Sequence, residues 1–572
     1  MTKPDIPIDA PTPASRVRRG RVRVIAVVTA ATAVATAIGV AVADASDRPA
    51  AVRAVQVAPA PVALPAGITR QKLTWTDCPA TGDDRESESE SESESESESD
   101  AAPTPGPAMT CATVRVPLDY RRPAGRTIDV AISRIASSAP GKRRGIMLLN
   151  PGGPGYGGLD MPVLMRDELP KSVAEQYDLV GFDPRGVGAS SPVTCDLSDE
   201  QAAVPAAYKP ATFAGDVEAA RQVAAKCAKH ADVLAHITTA NTARDMDVIR
   251  SVLGERKLSF FGYSYGTYLG PVYLQLFPGN ADRMVFDSAV DPALAWRGTL
   301  QAWAVGSKPA FERFTAYAAR NDAIYHLGRT ADAVAKTFWD LVAKADVTPI
   351  ERKDGDFIRW RFRLLSFFRV DAATELARLK EISEGGDPEP SPAGKAHDDG
   401  LGRSPFAEPS PDNMTAARLS VFCNEKDWPR DPQQYARDAV RDKKRYPLAG
   451  DTMSNIMACA FWSVPRTEPE MTVGNRSAAL VVQNEWDPQT PSFSGRGLHR
   501  ALTGSRMVFV AEGEGHTVYH KDGNSCAYAA VNAYLSTGRL PARDVTCKAA
   551  APEPGRATDG VDPAESAPRR TS

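Results

Sequence analysis

The most constraining feature of this chain is the passage from an apolar run, Leu258–Phe261, through Gly262-Tyr263-Ser264-Tyr265-Gly266 into a helix-forming stretch, Thr267–Phe277. A G-x-S-x-G segment between a strand and a helix sets its serine on a tight turn at the end of a sheet strand, and the flanking glycines let the backbone pass close to its neighbours. The N-terminus of the helix that follows favours negative charge developing beside it. Pro271 falls inside the helical run and is expected to kink it.

The rest of the chain supplies the sheet that this turn needs. Ile128–Ile135, Gly145–Leu149, Tyr177–Phe182, Met284–Asp287, Ala478–Gln483 and Met507–Val510 are short apolar runs that read as strands, with helical segments such as Thr242–Leu253 between several of them. Such alternation predicts a mainly parallel sheet with helices on both faces. With the serine turn, the expected architecture is the α/β-hydrolase fold, its core at 73–299 and 416–550. Residues 300–415 break the rhythm. Phe311, Phe314 and Tyr317 recur at helical spacing, as do Val334, Phe338, Leu341 and Val342; Phe357–Phe368 is rich in aromatics and arginines, and Gly385–Pro411 in Gly, Pro and Asp. This block is expected to be a mostly helical inserted cap, its aromatic stripes serving as packing.

A serine hydroxyl needs a base. Of the seven histidines, His516 lies in Gly513-Glu514-Gly515-His516 just beyond a late strand, and His520 lacks that glycine context. The acid should fall between serine and histidine in chain order. Asn484-Glu485-Trp486-Asp487-Pro488 follows the preceding strand, which points to Asp487, with Glu485 as the alternative. An oxyanion hole needs backbone N–H donors. Asn150-Pro151-Gly152-Gly153-Pro154-Gly155 can supply one from Gly153, with the N–H of Tyr265 as the second. Gly153, Gly155 and Gly158 also match G-x-G-x-x-G, but Pro154 and Pro162 interrupt what would have to be a loop and a helix. No cofactor is expected, and no metal-ligand cluster is visible.

The ends of the chain speak to location. Arg16, Arg18, Arg19, Arg21 and Arg23 precede an uncharged Ala/Val-rich stretch, Val24–Ala43, and Ala41-Val42-Ala43 offers a cleavage site. That order describes a secretory signal at 1–43, or a retained anchor, since about 20 apolar residues can span a bilayer. Gly20-Arg21 follows the pair Arg18-Arg19 where an apolar patch would support twin-arginine export. Residues 44–72 read as an Ala/Pro/Val-rich linker, 84–100 as a disordered tract whose Glu86–Ser99 strictly alternates Glu and Ser, and 551–572 as a polar tail. Eight cysteines lie beyond the signal with no C-x-x-C pair, which fits an oxidising compartment. The simplest assignment pairs sequence neighbours: Cys78 with Cys111, Cys195 with Cys227, Cys423 with Cys459, and Cys526 with Cys547. The net charge of −3 gives no reason to expect nucleic acid.

Asn150–Gly158 (NPGGPGYGG), Gly181–Ser190 (GFDPRGVGAS), Gly262–Gly270 (GYSYGTYLG), Trp486–Pro491 (WDPQTP) and Gly513–His516 (GEGH) together resemble the secreted tripeptidyl aminopeptidases of the prolyl-aminopeptidase family of serine peptidases. The resemblance spans roughly 73–547 and is weak through the cap. It places the family's triad on Ser264, Asp487 and His516, and it implies removal of short peptides, tripeptides among them, from free N-termini. An aminopeptidase must hold a protonated amine, and an unpaired buried ammonium is costly. Glu425, in Cys423-Asn424-Glu425, resembles the family's acidic position, with Asp183 and Glu485 as rivals. The expected partners are therefore peptides or proteins with free N-termini, and no obligate partner is implied. A carboxylic-ester hydrolase and a non-catalytic surface protein are the other readings open to this sequence.

Overall fold

Buried apolar runs at the centre of the chain become the strands of one mixed sheet. The computed structural model describes residues 63–78, 109–203, 206–347, 350, 369–386, 406 and 409–549. The basic and apolar N-terminal segment, the Glu-Ser tract, Phe357–Phe368, most of Gly385–Pro411 and the tail 551–572 lie outside them. Among the described residues the strands are β1 (Thr76–Asp77), β2 (Thr110–Pro117), β3 (Thr127–Ile135), β4 (Gly145–Asn150), β5 (Tyr177–Phe182), β6 (Leu258–Tyr263), β7 (Ala281–Asp287), β8 (Leu480–Trp486), β9 (Arg506–Glu514) and β10 (Val545–Lys548). Their order is β1-β2-β3-β5-β4-β6-β7-β8-β9-β10. The first three pairings, through β3–β5, are antiparallel, and every later one is parallel.

Every residue of β4, β5 and β6 is buried, which explains why these strands read as unbroken apolar runs. Side chains alternate between two cores, as strand geometry requires. Ile146 and Leu148 of β4 face a core completed by the helices Phe213–Ala228, Thr239–Val252 and Gly266–Leu276. Met147 and Leu149 face a second core completed by Met161–Glu168 and Ser525–Thr537. Disulfides join Cys78–Cys111, Cys195–Cys227, Cys423–Cys459 and Cys526–Cys547.

Several expected boundaries move. The linker expected over 44–72 ends early: Ala66–Thr69 is a helical turn, Ile68 is buried in the core, and the Gln71 side chain bonds both the N–H and the C=O of Arg115 on β2 at 2.8 Å. Strands β2 and β10 were not apparent in the sequence. β2 alternates polar residues with apolar ones, and β10 is four residues held beside β9 and by Cys547. The helix expected from Thr242 starts at Thr239, because the Thr238 hydroxyl caps it by accepting the Asn241 N–H.

The chain leaves the sheet after β7 and returns at β8. Phe314 and Tyr317, from the helix Arg297–Arg320, pack with Val334, Phe338, Leu341 and Val342, from Ala331–Ala345, in a third apolar cluster. The helix Pro411–Glu425 packs on the main core through Ala416, Leu419 and Phe422, residues expected in the core. Leu448, Ala449 and Met453, beyond the expected end of the cap at 415, pack in the cap cluster.

Candidate active site

Ser264 occupies the left-handed region, at φ 51°, on the turn between β6 and the helix Gly266–Leu276. A non-glycine residue held there costs on the order of 1–3 kcal/mol and persists only when its surroundings fix it. Here the Ser264 N–H donates to the Asp287 carbonyl at 3.1 Å, and the Ser264 carbonyl accepts from the Thr267 N–H at 2.9 Å and from its hydroxyl at 2.5 Å. The flanking glycines are dictated by crowding. A Cβ on Gly262 would lie 2.5 Å from the Phe260 ring, and one on Gly266 would lie 2.8 Å from Asn150 Oδ1.

β4 and β6 are parallel neighbours with Asn150 opposite Gly262, so the loop after β4 emerges beside the serine turn. Its closest approach is at Gly152 (φ 119°), where a Cβ would lie 2.9 Å from Ser264 Cβ. Gly153 follows at φ 99°, and a Cβ there would meet the Gly155 amide nitrogen at 2.9 Å and the Tyr156 ring at 3.2 Å. Gly153, the expected N–H donor, thus lies one residue past the glycine that approaches Ser264, and Tyr265 directly follows the serine. The far end of the loop is clamped by Asp183, whose carboxylate accepts from the amides of Gly158 and Ala189 at 2.8 Å each. Burial pushes this carboxyl up from its ordinary range against those bonds.

Asp487 and His516 meet across the ends of β8 and β9. His516 Nδ1 lies 3.1 and 3.0 Å from the two oxygens of Asp487. Asp487 is held by three further donors: the amides of Gln489 and Thr490 at 2.8 and 2.9 Å, and the Thr490 hydroxyl at 2.7 Å. This cradle orients the carboxylate toward the imidazole. The rivals are elsewhere engaged. Glu485 accepts the Glu512 amide at 2.7 Å, and His520 Nε2 pairs with the Thr517 hydroxyl at 2.8 Å.

Two residues that the sequence reading did not single out complete the frame. One is Thr490, inside the WDPQTP segment. The other is Asp287, the last residue of β7, whose backbone holds Ser264. Its buried carboxylate accepts the Val518 N–H at 3.0 and 3.1 Å and the Tyr519 N–H at 2.8 Å, just beyond His516. Ser288 adds its hydroxyl as acceptor for the Thr517 N–H at 2.8 Å. Burial raises Asp287 to about 6 despite these donors and the nearby His516. The only sequence signal for Asp287 was its place at a strand end.

Glu425 ends the helix Pro411–Glu425, which Cys423–Cys459 fastens to the core. Partly buried, it accepts the Thr239 N–H at 2.5 Å and the Trp296 indole N–H at 3.0 Å, one on each oxygen. Burial pushes its carboxyl up. Trp296 stands 5.8 Å from the Tyr265 ring, and the Tyr265 hydroxyl lies 2.9 Å from that of Thr239, so Glu425 sits one side chain away from the serine turn. Of its rivals for a substrate amine, Asp183 is committed to the loop and Glu485 to β9.

Asp487 orients the His516 imidazole as a serine hydrolase's base is oriented, and the Ser264 turn and the His516 loop both follow the carboxyl ends of parallel strands. Among the described residues no group of three or more His, Cys, Asp or Glu is placed to hold a metal ion.

Residues 145–337 match the model of the alpha/beta hydrolase fold, and residues 446–547 match the model described as TAP-like protein. The tripeptidyl aminopeptidase of Streptomyces lividans is 35% identical over 459 residues, covering 76% of this chain and 83% of that protein. Serine protease Hip1 of Mycobacterium tuberculosis is 31% identical over 466 residues, 76% of this chain and 87% of that one. Carboxylesterase B of the same organism is 33% identical over 458 residues, 76% and 86%.

Proposed function

This chain belongs to the tripeptidyl-aminopeptidase-like α/β-hydrolases, and we propose that it is an exported serine exopeptidase that releases short peptides, tripeptides among them, from free N-termini. The observation that carries this reading is the Asp487–His516 pair, 3.0 Å apart, standing on the same edge of the sheet as the Ser264 turn.

In the proposed mechanism Ser264 Oγ attacks the scissile carbonyl while His516 takes its proton, and Asp487 stabilises the resulting imidazolium. The N–H groups of Gly153 and Tyr265 receive the negative charge on the carbonyl oxygen. His516 then protonates the departing amine, leaving an acyl-enzyme on Ser264, which water hydrolyses with His516 again as base. Glu425 receives the substrate's ammonium group. The four disulfides and the basic-then-apolar N-terminal segment support export.

A second reading, carboxylic-ester hydrolysis, is favoured by the likeness to a carboxylesterase, since the same triad attacks esters. Three substrate sets separate the two: peptide anilides with a free amine, the same peptides N-acetylated, and simple nitrophenyl esters. Preference for the free-amine set is expected, with product masses giving the number of residues released. Turnover of esters alone would replace the peptidase reading by the second one.

A further inference from the structure

The helix Pro411–Glu425 lies across the site, and one face of it can be followed residue by residue. Met414, Arg418, Phe422 and Glu425 are spaced by four, four and three, so they share a face. The first of them touches the oxyanion loop: a Cβ on Gly155 would lie 2.5 Å from the Met414 carbonyl oxygen. The last two touch Trp296, whose ring stands 5.8 Å from that of Tyr265, the residue after Ser264. Phe422 stacks on Trp296 at 5.1 Å, and Glu425 bonds the same indole. Along the helix, Arg418 therefore lies between Met414, which meets the loop after β4, and the carboxylate of Glu425.

Arg418 is partly buried, and among the described residues no carboxylate pairs with it. Its hydrogen bond is to the Thr415 hydroxyl, at 2.9 Å. The acidic residues of its own helix are occupied elsewhere. Asp412 takes the amides of Cys195 and Leu197 at 3.1 Å each, and Glu425 takes Thr239 and Trp296. Burial lowers the guanidinium from its ordinary value, opposed by the phenol of Tyr156, whose ring packs beside Gly153. A partly buried guanidinium with no carboxylate beside it among the described residues keeps donors to spare, and its planar fork fits a carboxylate.

We propose that Arg418 binds a carboxylate of the substrate close to the scissile bond. The ligand chemistry is a carboxylate on the acyl or the leaving side, supplied by an acidic side chain or by the C-terminus of a short peptide. The inference rests on the peptidase reading above and deepens it, with Glu425 taking the ammonium group and Arg418 an anion nearer the reacting carbonyl.

The test compares kcat/KM within pairs of free-amine peptides. Glu is set against Gln at each residue flanking the cleaved bond, and a C-terminal acid against its amide. In the wild type, one pair should favour the carboxylate by about tenfold or more, as expected for a charge-assisted bond, and the pair that does so identifies the source. In Arg418→Met that ratio should fall to near one, and Arg418→Lys should keep part of it. A ratio measured within one preparation does not depend on how much of a variant is folded. Equal ratios in the wild type and in Arg418→Met overturn the proposal. If the wild type cleaves no free-amine peptide, the peptidase reading fails separately. The mono-nitrophenyl ester of glutaric acid and its neutral methyl ester then pose the same question. A carboxylate preference lost in Arg418→Met sustains the anion site, and its absence removes it.

Discussion

The carbonyl of Asp287 accepts the amide hydrogen of Ser264 at 3.1 Å, so the residue that closes β7 holds the nucleophile's turn through its backbone and the base's loop through its side chain. Burial raises its carboxyl from 3.8 to about 6. Between about pH 4 and 6 the folded protein then binds this proton more tightly than the unfolded chain, so the group's contribution to stability falls as pH rises through that window and is level above it. Denaturant unfolding of the wild type and Asp287→Asn across pH 4–7 should show the wild type losing roughly 1–3 kcal/mol relative to the variant. Parallel curves would mean that the carboxyl does not titrate there. At pH 8 the variant should lose about 10- to 100-fold in kcat, because the amides of Val518 and Tyr519 lose their anionic acceptor and His516 is misplaced.

Thr490 is predicted to act through Asp487. Thr490→Val removes the 2.7 Å bond to the carboxylate while leaving the two amide donors, and kcat should fall about tenfold. Ser264→Ala and His516→Ala should each lose about a thousandfold or more, with the double variant little worse than either single one. His520→Ala, whose partner is Thr517, should stay within about twofold of the wild type. A His520 variant as slow as the His516 variant would move the base assignment.

Gly152→Ala tests the loop's approach to the nucleophile. The added Cβ would stand 2.9 Å from Ser264 Cβ at a φ of 119° that L side chains rarely adopt. Loss of about a hundredfold in kcat/KM is expected, together with slower labelling of Ser264 by an organophosphonate. Unimpaired labelling and turnover would show that the loop has room which this geometry denies it.

Glu425→Gln keeps the shape of the side chain and removes its charge. If the carboxylate receives the substrate ammonium, kcat/KM for free-amine peptides should drop by one to two decades, about 1.5–3 kcal/mol, while an N-acetylated ester changes little. Equal slowing of both substrates would make Glu425 a cap for the helix Thr239–Val252, through its bond to the Thr239 amide.

Much of this molecule is written locally in its sequence. The parallel strands are runs buried on both faces, so an unbroken apolar segment between turn residues marks each one. The turn at Ser264 was legible for the same reason: its glycines, the strand before it and the helix after it are neighbours in the chain. Asp487 and His516 were legible as loop residues just past strand ends, where this architecture gathers its chemistry. The strand β2 was not, because a strand half exposed to solvent alternates polar residues and depends on its pairing with β3.

What the sequence determined by itself was the architecture and the three side chains proposed for the triad, since each follows from residue type and immediate context. Only the tertiary structure decided what surrounds them. That Asp287 ties Ser264 to the loop after His516 depends on β7 lying between β6 and β8, with bonds spanning more than two hundred residues. That a Cβ on Gly152 would meet Ser264 depends on the register of β4 against β6. That Arg418 stands without a carboxylate among the described residues depends on where the other acids of its helix have gone. Register, strand order and ion pairing are energies of contact between distant segments, and no window along the chain contains both partners.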